Sequence, residues 1–202
     1  LAVDENGELV DGDKIMTICG INLKSRGLLP KDTVVTTVMS NIGMDEAFRN
    51  HGLQAVKAKV GDRYVLEEML KGGYALGGEQ SGHIIFLNTN TTGDGLMTAV
   101  QLLCVLKESG KAMSELASVM TVYPQVLKNA HVKNENKQAY QNDEVIMAKI
   151  AEVEEYFHGN GRVLIRPSGT EPLVRVMIEG NDQTVLEKYA GELKALIEMR
   201  LG

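Results

Sequence analysis

Val34-Val35-Thr36-Thr37-Val38-Met39, followed by Asn41-Ile42-Gly43, is the stretch from which the fold follows. The run is β-branched and mostly apolar, as a strand covered on both faces should be. The asparagine and glycine after it turn the chain into a helix near 45–50. Leu53–Lys59 reads as a second strand, and Asp62 can cap a helix from Arg63 to Lys71. Upstream, Asp11 to Lys24 reads as a helix capped by Asp11 or Asp13. Downstream, Tyr74–Leu76 and Ile84–Leu87 are short strands. Asp94 caps a further helix, where Leu96, Ala99, Val100, Leu103 and Leu106 have the spacing of one buried face. Met113–Met120 is another short helix. Strands alternating with helices predict an α/β three-layer domain with a mainly parallel sheet over residues 10–122.

The composition then changes. Tyr123-Pro124 lies near a boundary, and Lys133 to Asn142 is polar and reads as a loop. Ile146, Ile150, Val153 and Phe157 mark an amphipathic helix, and Gly159-Asn160-Gly161 a turn. Arg162–Ile165 and Leu173–Glu179 are strands. The last helix carries Leu186, Tyr189, Leu193 and Leu196 on one stripe. Residues 128–202 are therefore expected to form a small α+β domain of a few strands covered by two helices. At the other end, Leu1-Ala2-Val3 and Glu8-Leu9-Val10 flank Asp4-Glu5-Asn6-Gly7, a hairpin signal. A lone hairpin has little stability of its own. Residues 1–9 are accordingly expected to be the remnant of an upstream domain.

The 202 residues carry a formal charge of −6, which argues against general nucleic-acid binding. No stretch approaches the roughly 18 apolar residues of a membrane span. Cys19 and Cys104 fall in helix-like apolar stretches and are expected to be buried, reduced thiols, which makes the cytoplasm the expected compartment.

Two loops gather chemistry. Arg166-Pro167-Ser168-Gly169-Thr170-Glu171-Pro172 offers a guanidinium, hydroxyls and a Cβ-free backbone, the groups a phosphate wants. Its prolines limit the freedom lost on binding. The candidate phosphate ligands are Arg166, Ser168, Gly169 and Thr170, with Arg175 read as structural. Gly77-Gly78-Glu79-Gln80-Ser81-Gly82-His83 sets a carboxylate, a hydroxyl and an imidazole among glycines. Glu79 and Ser81 can bond sugar hydroxyls. His83 can bond a hydroxyl, contact phosphate or move a proton. Lys59 and Arg63, at a strand-to-helix junction, are further candidates. Asp11-Gly12-Asp13 is too poor in oxygens for a hard cation, and the histidines show no zinc spacing.

With those residues quoted, the chain resembles the α-D-phosphohexomutases. Gly-Glu-Gln-Ser-Gly-His at 78–83 and Arg-Pro-Ser-Gly-Thr-Glu-Pro at 166–172 look like that family's sugar and phosphate loops. Thr37-Val38-Met39-Ser40-Asn41, Val60-Gly61-Asp62-Arg63-Tyr64-Val65 and Thr92-Gly93-Asp94-Gly95 resemble it too. Gln80 and the Gly-Asp-Arg-Tyr-Val run are most similar to the bacterial branch that acts on glucosamine phosphates. Members acting on mannose or glucose phosphates usually carry Met at that position.

The resemblance implies a four-domain enzyme, represented here by the end of the second domain, the third, and a TATA-box-protein-like fourth. It implies interconversion of glucosamine 6-phosphate and glucosamine 1-phosphate through a phosphoserine and a bisphosphate, in the service of cell-wall precursor synthesis. The phosphoserine and the Asp-rich loop holding Mg2+ would lie upstream of Leu1, so these residues alone are expected to be inactive. Arg166, Ser168, Gly169 and Thr170 would hold the phosphate that is not reacting. Glu79 and Ser81 would hold sugar hydroxyls, with His83 and Lys59 available for phosphate contact or proton transfer. A homodimer is implied for the full-length protein. Two other readings stand beside it: glucose or mannose phosphate as substrate, and a non-catalytic sugar-phosphate sensor.

Overall fold

The computed structural model describes all residues, Leu1–Gly202, and the chain divides into two compact units, Leu1–Val122 and Tyr123–Gly202. In the first unit a two-residue antiparallel hairpin, β1 (Ala2–Val3) and β2 (Leu9–Val10), leads into α1 (Gly12–Ser25). Asp11 is the cap, its carboxylate accepting from Lys14 N at 3.0 Å. Then follow β3 (Thr33–Thr37), α2 (Ile42–His51), β4 (Gln54–Ala58), α3 (Asp62–Gly72), β5 (Leu76–Gly78), β6 (Ile84–Phe86), α4 (Gly95–Ser109) and α5 (Met113–Ala117). The sheet order is β4-β3-β5-β6. β3 runs parallel to both its neighbours, and only the β5–β6 hairpin is antiparallel.

All of β3 is buried, as its β-branched composition requires. One core, containing Ile15, Met16, Val34, Met44, Phe48 and Leu76, lies on one side of the sheet. Val35, Ala58, Val65, Met69 and Ile85 form a second core. Alternation along β3 explains the split, since Val34 and Val35 point to opposite faces.

Several expectations are corrected. Gly61, not Asp62, caps α3, without a side-chain bond. Asp62 already lies inside the helix, and its carboxylate takes the adjacent Arg63 N–H at 2.8 Å. β3 stops at Thr37, because Val38 and Met39 turn away toward Asn41, whose side chain caps α2 by accepting from Gly43 N. The expected apolar face of α4 is largely in solvent: Leu96, Val100 and Leu103 are 79%, 48% and 58% exposed. The buried row is Thr98, Leu102 and Val105. Thr98 tolerates burial because its hydroxyl donates to Asp94 O at 2.7 Å. Cys19 is buried, and exclusion from water pushes its thiol up to about 12. Cys104, also expected inside, is exposed with the misassigned face.

The second unit begins with a strand the sequence reading did not assign, β7 (Gln125–His131), followed by short 3-10 turns, α6 (Glu144–Phe157), β8 (Arg162–Pro167), β9 (Leu173–Glu179) and α7 (Gln183–Leu201). The antiparallel sheet is ordered β7-β9-β8. Val126, Ala130, Val174, Val176 and Ile178 join Ile146 and Val153 of α6 and Leu186, Ala190, Leu193 and Ile197 of α7 in one core. On the same-face row at the far end of the strands, buried Glu179 is held by Arg162 at 2.5 Å and by Gln125 Nε2 at 3.1 Å.

Candidate functional site

The parallel strands deliver their carboxyl ends to one edge of the first unit, the usual ligand edge of an open α/β sheet. Ala58 leads into Lys59-Val60-Gly61, and Gly78 leads into the Glu79–His83 turn. The turn is closed by Glu79 N–H to His83 O at 3.0 Å and Gly82 N–H to Glu79 O at 2.9 Å. Gly82 has φ +98°, a conformation that side chains avoid, and an added Cβ would come within 3.2 Å of the Leu1 nitrogen. The beginning of the chain therefore lies directly against this turn.

The turn is also clamped from behind. Gly12 N–H donates to Gln80 O at 2.9 Å, and Gln80 Nε2 reaches Asp11 Oδ2 at 3.3 Å. A Cβ on Gly12 would sit 2.1 Å from Glu79 O, so only glycine allows helix α1 this close.

Glu79 is half-buried, and one carboxylate oxygen accepts from Gly61 N–H at 2.9 Å. That bond joins two of the candidate segments, the 59–63 junction and the glycine-flanked turn. Its remaining acceptor sites are available to hydroxyls. Ser81 and His83 are exposed, with Ser81 Oγ 3.4 Å from His83 Nδ1. Lys59 is exposed, its ammonium 5.9 Å from the Tyr64 ring centre. Arg63 is engaged otherwise, with Nε donating to Glu67 Oε1 at 2.8 Å along the helix. The structure thus brings together Lys59, Glu79, Ser81 and His83 at one edge and places Arg63 in a surface ion pair.

Behind the same edge, Asp13 is fully buried at the start of α1. Its Oδ2 accepts from Asn41 N at 2.8 Å. Burial pushes its carboxyl up to about 6, against the opposing pull of the Asn41 N–H and the Ser40 hydroxyl.

In the second unit, β8 and β9 present the Ser168–Pro172 loop. Ser168 N–H bonds Leu173 O at 2.9 Å, and Glu171 N–H donates to Ser168 Oγ at 3.1 Å. Ser168 is buried, so its hydroxyl also staples the loop; with its oxygen accepting from Glu171, its proton is left to donate. Gly169 and Thr170 are exposed, and their N–H groups have no protein acceptor. Adjacent N–H groups without a protein acceptor are available to an anion.

The strand register places Arg175, expected from the sequence to be structural, beside Arg166. Arg166 lies directly opposite Arg175, with Asn129 next in the row. Arg175 keeps one bond, to Glu171 Oε2 at 3.2 Å. Arg166 has no acidic partner, and its guanidinium is held below its ordinary range by partial burial and then by the Arg175 charge. Like charges directly opposite on a sheet are unfavourable, and an anion bound between them would relieve the repulsion. The nine-residue separation hides the pairing in the sequence; only the hairpin length sets it.

No three or more His, Cys, Asp or Glu side chains converge as a cation cage. Asp11 bonds Lys14 and Gln80, and Asp13 bonds Asn41 through one oxygen, so this closely spaced acidic pair offers a cation few free oxygens. The donor set of this chain does not fit a resident magnesium ion.

Comparison with known proteins matches residues 11–123 to "Phosphoglucomutase/phosphomannomutase, alpha/beta/alpha domain III" and residues 127–196 to "Phosphoglucomutase/phosphomannomutase, C-terminal domain". The chain is 65% identical over 202 residues to a phosphoglucosamine mutase of Alkaliphilus metalliredigens, covering all of this chain and 45% of that protein. It is 65% identical over 201 residues to that of Ruminiclostridium cellulolyticum, with the same coverage. It therefore spans less than half the length of these relatives. Among solved structures, N-acetylphosphoglucosamine mutase of Aspergillus fumigatus superposes with a TM-score of 0.79 at 20% identity, over 98% of this chain and 45% of that one. The same enzyme in complex with GlcNAc-6P and magnesium gives 0.77 at 22%, over 98% and 46%.

Proposed function

This chain belongs to the phosphoglucomutase/phosphomannomutase family, and from that premise we propose that it is the substrate-holding part of a mutase interconverting glucosamine 6-phosphate and glucosamine 1-phosphate. Residues 10–122 are its sugar-binding domain and residues 128–202 its phosphate-binding domain. The reading is carried by one observation: Arg166, without an acidic partner, stands beside Arg175 under a loop whose Gly169 and Thr170 N–H groups are free. Arg166 and Arg175 neutralise the phosphate, Gly169 and Thr170 donate backbone hydrogens, and Ser168 gives its remaining proton. In the other domain Glu79 accepts from sugar hydroxyls, already oriented by Gly61, and Ser81 shares that task. His83 and Lys59 meet charge or carry a proton.

Phosphoryl transfer depends chiefly on positioning and charge neutralisation. These residues supply positioning, while the transferring group and the magnesium ion belong to the remainder of the full-length enzyme. That enzyme acts as a cytoplasmic homodimer supplying amino-sugar precursors of the cell wall. The 65% identity to enzymes named for glucosamine phosphate favours that substrate over glucose or mannose phosphate.

In the full-length enzyme, Arg166→Ala should raise KM for glucosamine 6-phosphate about 10- to 100-fold, the loss expected for a charge-assisted bond. An unchanged KM would refute the phosphate assignment. The 202 residues alone, given glucosamine 6-phosphate and Mg2+, should show no turnover; activity above background would overturn the assignment of the chemistry to the rest of the enzyme.

A further inference from the structure

The segment 133–142 has the composition of a connecting loop, yet it is built into the anion loop. It forms 3-10 turns at Asn134–Asn136 and Ala139–Asn142. Tyr140 is buried, and its hydroxyl donates to Ile165 O at 3.0 Å, one residue before Arg166. Gln141 Nε2 donates in turn to the Tyr140 hydroxyl at 3.2 Å. From this base the Lys137 ammonium donates to Ser168 O at 2.9 Å and to Glu171 O at 3.3 Å. One cation thus holds two carbonyls of the loop.

The covalent geometry gives this pinning a consequence. Ser168 C=O and Gly169 N–H belong to the same trans peptide unit and point in opposite directions. Fixing the carbonyl on Lys137 aims the Gly169 N–H away from Lys137. Gly169 meets nothing within 4 Å of where a Cβ would stand, and a glycine at this place resists a peptide flip poorly. A flipped unit would present a carbonyl dipole to an anion instead of a donor.

We propose that Lys137 is a positioning residue for the anion loop, holding the 168–169 peptide so that its N–H serves the phosphate. The inference rests on the reading of 166–172 as a phosphate site. Lys137 acts through the loop and does not itself touch the ligand. Its effect is therefore on the orientation of the loop's peptides, above all the 168–169 unit.

The test uses the 15N-labelled 202-residue chain titrated with inorganic phosphate, comparing wild type, Lys137→Met, Lys137→Arg and Arg166→Ala. In the wild type the Gly169 and Thr170 amide signals should move saturably. Lys137→Met should weaken phosphate binding about tenfold, the equivalent of one charge-assisted bond, and should abolish the Gly169 response while core amides keep their positions. Lys137→Arg, which keeps a donor cation, should recover part of both. Wild-type affinity with an unaltered Gly169 response in Lys137→Met overturns the role of Lys137. If that result comes with lost binding in Arg166→Ala, the phosphate site survives and only the positioning role falls. If neither wild type nor Arg166→Ala responds to phosphate, the site itself is wrong and the inference falls with it.

Discussion

Single side chains in this protein are set by neighbours that are remote in sequence. Glu79 stands out in the sequence by its flanking glycines, but its bond to Gly61 does not. That bond requires the ends of β4 and β5, separated by β3 in the sheet, to feed adjacent loops. Asp13 is a similar case. Its sequence context suggests a helix cap, whereas Asp11 takes that part and Asp13 is drawn inside.

A carboxyl raised from 3.8 to about 6 binds a proton more readily in the folded chain than in the unfolded one. Its contribution is complete below the unfolded value and is lost as pH rises through the folded value. From about pH 4 to pH 7, Asp13 should therefore cost the fold on the order of 3 kcal/mol. Asp13→Asn removes that dependence. Urea unfolding of the two proteins at both ends of this window should show the variant gaining on the wild type as pH rises. Parallel profiles would mean that Asp13 ionises as it would in water.

At the level of elements, strands and caps were the readable part. β3 is unmistakable in its β-branched run, and Asp94 is the cap of α4 as its position suggests, accepting from Met97 N at 2.9 Å. Periodicity found α4 but gave its phase wrongly. The helix carries two apolar rows, and the larger one, Leu96-Val100-Leu103, is the outer one. Burial of Thr98 through its bond to Asp94 O is the detail that periodicity cannot weigh. β7 escaped because Gln-Val-Leu-Lys-Asn-Ala-His has few large apolar residues, and its pairing to β9 supplies what propensity does not. The two rows of α4 predict a contrast. Leu102→Ala, at 4% exposure, should cost about 2–5 kcal/mol, and Leu103→Ala no more than about 0.5. Chemical denaturation of both variants decides it; equal losses would contradict the assigned phase.

For the molecule as a whole, the cores are separate. Val34, Met44, Phe48 and Leu76 serve the first unit, and Val153, Val176, Leu193 and Ile197 serve the second. The second unit has a three-stranded sheet, two helices and the Arg162–Glu179 pair within its own boundaries. Residues 123–202 expressed alone should fold, with a stability of no more than about 5 kcal/mol given their size. A dispersed amide spectrum and a cooperative melt are the expected outcome. A collapsed spectrum would show that the core does not suffice. The family was legible in two loops, while strand β7 and the packing of 133–142 were not, since β7 has few large apolar residues and 133–142 has the composition of a connecting loop.

Gly82 lies against the first residue of the chain, and this has a practical side. A group attached to the Leu1 nitrogen starts beside the Ser81–His83 turn, since that nitrogen is 3.2 Å from where a Gly82 Cβ would stand. A label or fusion at that end will therefore report on the Ser81–His83 turn and can perturb it. A handle placed after Gly202 avoids that interference.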